Sequence, residues 1–235
     1  MSPVLDHTLR GPAEAEWEAV LHDLPPFAWP PCRRLVVVSP HPDDETLGAG
    51  GIITLAVLRG LPVLVLSVTD GEAASPDPLL PDVRRAELAR ALECLDPTGC
   101  ITGVRLGYPD FHVGSATEAL TAAIAAHLQP DDLVLCPLTD DGHPDHDATS
   151  SAATAAAEAA GVAVRWYPVW AWHCHDPRRS MLADGERLSL PDDVLARKRA
   201  AVACYASQTS GEDPVVPPAM LVRLLRPFEV LVRPR

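Results

Sequence analysis

The chain has 235 residues, 47% of them hydrophobic and 22% charged, with a formal net charge of −13. That size and apolar content suit a soluble globular protein with one sizeable core, and the acidic balance argues against nucleic acid or an anionic membrane as partner. No stretch approaches the ~20 consecutive apolar residues of a transmembrane segment. The opening MSPVLDHTLRGPAEAEWEAV is acidic and has no basic-then-apolar leader pattern, so cytoplasmic residence is expected. Leu35 to Ser39 is a continuous β-branched apolar run, as expected for a strand buried on both faces. Thr46 to Arg59 reads as a helix closed by Gly60, and Val63 to Val68 as a second buried strand ending in Thr69-Asp70-Gly71. Pro81 to Leu95 suits a helix that starts on proline. Val104 to Leu106 then reads as a short strand, Ala116 to Leu128 as a helix and Leu133 to Cys136 as a strand. The alanine-rich segment Asp145 to Ala160 is strongly helical.

This strand–helix alternation predicts a Rossmann-like three-layer α/β sandwich with a mostly parallel sheet. Beyond Gly161, Val162 to Trp172 reads as an aromatic strand, Pro191 to Ser207 as a helix and Phe228 to Val232 as a late strand, an appendage to the same sheet. The whole chain is expected to be one domain. The six cysteines, at positions 32, 94, 100, 136, 174 and 204, contain no C-x-x-C pair and read as small buried hydrophobes rather than a disulfide frame.

In open α/β sheets, sites lie beyond the carboxyl ends of the strands. His41, Asp43, Asp44 and Glu45 follow the first strand, Asp70 to Glu72 the second, Asp110 the third and Asp140 to Asp147 the fourth, so four polar clusters converge on one rim. Three adjacent carboxylates repel one another unless a cation sits among them. His143 and His146 are three residues apart where a helix begins, so both can face one side. Two loops that each combine histidine with carboxylate could supply a three-ligand site with an open position, the form of a catalytic zinc site. Mixed nitrogen and oxygen ligation leaves other divalent metals open. A lone HPD or DDE is most often a solvated turn or helix start; two such clusters at strand ends are harder to explain that way. Gly48, Gly50 and Gly51 do not make a dinucleotide fingerprint; Gly50 and Gly51 instead permit close packing of the helix on the sheet or around the metal loop, and no G-x-S-x-G elbow exists.

SPHPDDETLGAGG and GHPDHDAT resemble the paired metal-site motifs of the LmbE-like, or PIG-L, N-deacetylase family. TDGE, RRAELARAL, GYPD and KRAAVACYASQ extend the resemblance over about residues 34 to 208, leaving 1 to 33 as an N-terminal extension. It implies a Rossmann-like fold and zinc-dependent removal of an acyl group, usually acetyl, from an N-acetylglucosamine-like aminosugar or its conjugate. Carried over by motif, it implies His41, Asp44 and His146 as metal ligands and Asp43 as the general base. It implies His143 as the group that stabilises the tetrahedral intermediate or protonates the leaving amine, with Asp145 tuning it. Arg84 and Asp110 correspond to substrate-contacting residues. The competing readings are an amidase on a larger thiol or natural-product conjugate and a non-catalytic Rossmann-like binding protein; intact Asp43 and His143 argue against the latter.

Two weaker signals remain. Trp166, Trp170 and Trp172 share one parity of a strand, where core packing is favoured over sugar stacking and an exposed face would suit a homo-oligomer contact. His173 and His175 could reach the site but read as structural. Lys198 shares a helical stripe with Val194, Ala201 and Tyr205, where pairing with a carboxylate is favoured over catalysis.

Overall fold

The computed structural model describes residues 11–96 and 98–234; the first half of the acidic opening, residues 1–10, lies outside the described part. Continuous apolar runs become the inner strands β1 (Arg34–Ser39), β2 (Val63–Ser67) and β4 (Asp132–Pro137) of a parallel sheet, whose edges are the less buried β3 (Ile101–Arg105), starting three residues before the expected Val104, and β5 (Ala163–Tyr167). Their order is β3-β2-β1-β4-β5, and every pair is parallel. Leu35, Val36, Val37, Leu133, Val134 and Leu135 are wholly buried, as their two-sided cover requires. Three helices, α2 (Asp44–Leu58), α3 (Leu80–Leu95) and α7 (Asp192–Val202), pack together as one layer. A second pair, α4 (Thr117–Ala125) and α5 (Pro144–Ala160), packs together as the other. The strand order reverses between β1 and β4, and there the loops leaving the two strands part and open a crevice.

Tight contact between α2 and its surroundings depends on glycine. A Cβ on Gly48 would overlap the ring of Tyr167, whose hydroxyl donates to Val38 O at 2.8 Å, and one on Gly51 would overlap Leu190. Close packing of this helix is the role expected of Gly51.

The chain departs from expectation at its ends. Helix α1 (Glu14–Leu21), unanticipated, buries Trp17 and Leu21 on one face. The late strand β7 (Phe228–Leu231) is present, but it pairs antiparallel with β6 (Glu186–Ser189) in a separate two-stranded sheet. Its link to the main sheet is the bridge between Val232 and Trp166 at the β5 edge. The helix expected over Pro191 to Ser207 is broken after Val202, and a short α8 (Ala206–Thr209) follows.

The aromatic segment is also corrected. The strand ends at Tyr167, and Trp170 and Trp172 enter a single helical turn, α6 (Ala171–Cys174), so the strand parity of the three tryptophans does not hold. All three are buried, which removes the exposed subunit contact surface; Trp172 stacks edge-on against Trp17 with ring centroids 4.9 Å apart. Among the described residues no helix is long and apolar enough to cross a membrane, and all six cysteines are free thiols.

Candidate metal centre

Ser39 closes β1, and residues 40–43 turn sharply into α2. Asp43 caps that helix with φ 141° and ψ −33°, a backbone conformation that a non-glycine residue holds only at a cost of about 1–3 kcal/mol. Its surroundings over-determine it. Arg84 Nη2 donates to Pro42 O at 2.9 Å and lies 3.2 Å from Asp43 Oδ1, while the Asp43 amide donates to Glu45 Oε2 at 3.2 Å. Glu45 is itself anchored by the Tyr205 hydroxyl, 2.5 Å from its Oε1. Helix α2 begins at Asp44, two residues earlier than the apolar pattern indicates.

Asp44 Oδ2 is the meeting point of the two motifs. It lies 3.0 Å from His41 Nδ1 and 3.1 Å from His146 Nε2. His146 Nδ1 is 2.7 Å from Asp141 Oδ2, an atom that can only accept from a ring N–H, so in the neutral ring Nε2 is a lone pair. That lone pair faces another acceptor, and Nε2 is buried without a hydrogen-bond partner. The same holds on His41: Nδ1 faces Asp44, and Nε2, also lacking a hydrogen-bond partner, approaches Asp110 Oδ1 at 3.2 Å and Asp145 Oδ2 at 3.5 Å. Nitrogen lone pairs turned toward a carboxylate require a proton or a cation between them, so these residues fit a divalent metal. Nitrogens of His41, His143 and His146 also lie within 4.8 Å of one another, as do donor atoms of His41, Asp110 and Asp145.

His143 caps α5: its Nδ1 accepts the Asp145 N–H at 3.2 Å, leaving the ring proton on Nε2. The Asp145 carboxylate turns elsewhere, accepting from Phe111 N at 2.6 Å and Val113 N at 3.3 Å beside His41. Its contact with His143 thus runs through the backbone amide. Asp110 accepts from Ala73 N at 2.9 Å and Phe111 N at 2.8 Å. Arg84 is buried, and besides Asp43 and Pro42 it donates to Gly71 O at 3.1 Å.

Electrostatics follow from this crowding. Burial foremost, then Asp44 and Glu45 nearby, pushes Asp43 up to about 7 against the opposing pull of Arg84. Burial would raise Asp44 too, but His146 and His41 outweigh it and hold that carboxyl well below the usual range. Burial likewise opposes charge on both ligand-type histidines. Asp44 and Asp141 nevertheless lift His146 to about 9, and Asp110, Asp145 and Asp44 raise His41 well above its ordinary value. His143, buried and beside two imidazoles, is pushed down to about 2 and stays neutral.

Asp141 was not singled out by motif, although it stands inside DDGHPDHD. It takes His146 on one side and the amides of Val169, Trp170 and Ala171 on the other, each at 3.0 Å. Lys198 lies away from the cage: buried, it pairs with Glu229 Oε1 at 2.7 Å. His175 approaches Asp140 O at 2.6 Å, outside the cavity wall.

A parallel sheet in this order, with a buried histidine–carboxylate cluster that could hold a metal ion at its switch point, defines a Rossmann-like α/β protein. The chain belongs to the PIG-L family, described as GlcNAc-PI de-N-acetylase, whose model matches residues 36–157. It is 35% identical over 161 residues to a 1D-myo-inositol 2-acetamido-2-deoxy-alpha-D-glucopyranoside deacetylase of Rhodococcus jostii (strain RHA1), covering 56% of this chain and 55% of the relative. The same-named protein of Nocardia farcinica (strain IFM 10152) is 30% identical over 196 residues, covering 71% of this chain and 63% of its own. The match thus spans little more than half the length of these relatives. Among solved structures, the A40926 pseudoaglycone deacetylase superposes with a TM-score of 0.67 at 25% identity, covering 86% of this chain and 96% of that one. A conserved protein of Thermus thermophilus gives a TM-score of 0.64 at 26% identity, covering 86% and 94%.

Proposed function

We propose that the protein is a zinc-dependent hydrolase that removes the N-acetyl group from an N-acetylglucosamine-like sugar or its conjugate. The observation that carries this reading is the convergence of His41 and His146 on Asp44 Oδ2 in the floor of a cavity that Asp43 and His143 also line. Membership of a de-N-acetylase family supports it, as do relatives named as aminosugar deacetylases.

His41, Asp44 and His146 would hold the metal. When bound, zinc supplies a Lewis acid for the amide carbonyl and brings a water's pKa to about 7. The protein's own groups divide the remaining work. Asp43, poised near neutrality, takes the proton of the attacking water and is placed to return it to the amine, which leaves poorly until protonated. Arg84 keeps the Asp43 carboxylate in place from behind. His143 is neutral with its proton on Nε2, so it donates a hydrogen bond to the developing oxyanion rather than delivering a proton. Asp110 and Asp145 flank His41 Nε2, favour its protonated state and so leave Nδ1 as the ligand atom.

The test pairs metal analysis with acetate release by zinc-reconstituted protein. Asp43→Ala should keep the metal and lose turnover by about a hundredfold or more, whereas His41→Ala should lose metal affinity. Equal metal loss in both would abolish the division between base and ligand, and no acetate from a broad aminosugar panel would remove the deacetylase reading.

A further inference from the structure

The cavity beside the cage, about 320 Å³, is lined by cage residues together with a set of apolar side chains. Its larger apolar side chains are Leu47 from α2, Phe111 from the loop after β3, Val169 and Trp170 from the loop after β5, and Val215 and Val216 from the segment after α8. Phe111 stands out among them. Its φ is +60°, a left-handed conformation in which a bulky side chain is an outlier. Its side chain is also 53% exposed, so this conformation does not serve the core. The Phe111 amide is tied to Asp110 and Asp145, the carboxylates beside His41, and its ring centroid lies 5.1 Å from that of His143. A strained residue that holds an aromatic face in solvent beside the reaction centre is a feature of ligand clamps.

The lining is also short of positive charge. Among the described residues Arg84 is its one guanidinium, and that group is 3% exposed and already donates to Gly71 O, Pro42 O and Asp43. Asp43, Asp44 and Asp110 share the same walls. Away from the metal, a carboxylate-bearing aglycone would find no free guanidinium or ammonium in this lining, and a polyol would leave most of its hydroxyls against apolar side chains.

We propose that the rim built on Phe111, Trp170 and Val215 is a subsite for an uncharged, apolar aglycone, making the preferred substrate an N-acetylglucosaminide of an aryl or alkyl alcohol. This rests on the N-deacetylase reading. The acetyl group is short and must sit on the cage floor, so the aglycone is the end of the molecule that reaches the exposed ring.

The test measures acetate release by zinc-reconstituted full-length protein from methyl, phenyl and malyl N-acetylglucosaminides in both anomers, and octanoate release from N-octanoyl methyl glucosaminide. The phenyl glycoside should exceed the methyl in kcat/KM by about tenfold or more, and the malyl glycoside should fall below it. Phe111→Ala should bring the phenyl-to-methyl ratio toward one, and Phe111→Leu should restore most of it. Val215→Asp, on a lining segment remote in sequence from the Phe111 loop, should lower the same ratio. A wild-type ratio near one, a ratio unchanged in Phe111→Ala and Val215→Asp, preference for the malyl glycoside, or preference confined to the N-octanoyl substrate would each overturn the assignment. Calorimetry with methyl and phenyl glucosaminide, the amine products, needs no turnover. Tighter binding of the phenyl amine without acetate release from any substrate would sink the deacetylase reading and leave the rim standing. Acetate release without aglycone preference, and with equal binding of the two amines, would do the reverse.

Discussion

Asp141 joins two parts of the centre that lie far apart in sequence. One carboxylate fixes the ring of His146 and gathers three consecutive amides from the loop after β5. An acceptor on the remote nitrogen of a metal-binding histidine sets its tautomer and orientation, and losing it typically costs about 10–100-fold in metal affinity. Asp141→Asn keeps an oxygen for the amides but loses the charge that holds the His146 proton, so zinc affinity should fall by that factor while the fold remains; a chelator-competition titration with circular dichroism as control reads both. Unchanged affinity would mean that His146 does not ligate through Nε2. The motif residues were legible because histidine and carboxylate stand densely at strand ends. Asp141 stood in the same cluster, but its partners Val169 to Ala171 are about thirty positions away, and a contact at that separation leaves no local pattern. Asp145 illustrates the converse: its position was legible, and the direction of its side chain, toward His41 and the Phe111 amide, was not.

Helix α2 carries Asp44 and must be held rigidly for the cage to form. Its middle is clamped by Glu229 of β7, whose carboxylate accepts from Gly51 N at 2.6 Å and Ile52 N at 2.9 Å and is neutralised by Lys198 of α7. Both charged groups are nearly fully buried. Removing one partner of such a pair leaves a charge without compensation and costs about 3–5 kcal/mol. Lys198→Met should therefore lower the urea midpoint markedly. Adding Glu229→Gln to that variant should recover part of the loss, since no buried charge then remains. A Lys198→Met protein as stable as wild type, with turnover abolished, would instead make Lys198 catalytic. The helical stripe that includes Lys198 was visible in the sequence, whereas its partner was not, because Phe228–Leu231 meets α2 only through the tertiary fold.

On the scale of the whole molecule, the parallel sheet was legible because strands covered on both faces appear as unbroken apolar runs. Strand β6, with the sequence ERLS, has no such run and exists through its pairing with β7 some forty residues on. The tryptophan segment misled for a related reason: the Asp141 carboxylate draws three successive amides inward, and the chain turns helical where alternation suggests a strand.

The same long-range convergence makes stability depend on what fills the cage. Without metal, protons on His41 and His146 reconcile the carboxylates around them. Both histidines are raised, His146 to about 9. A raised folded-state value stabilises fully below the unfolded histidine value of about 6.5 and is lost as pH climbs through the folded one. Zinc needs neutral imidazoles, so it must displace those protons, and less so at higher pH. At a hundredfold excess over its Kd, zinc adds about 2.7 kcal/mol of stability, which for a chain of this size raises Tm by roughly 5–11 °C. The rise on adding zinc to chelator-stripped protein should therefore be larger at pH 8 than at pH 6, and should vanish in His41→Ala. An equal rise at both pH values, measured by calorimetry at matched free zinc, would show that the metal binds without displacing protons from these histidines, and the cage would have to be assigned to other ligands.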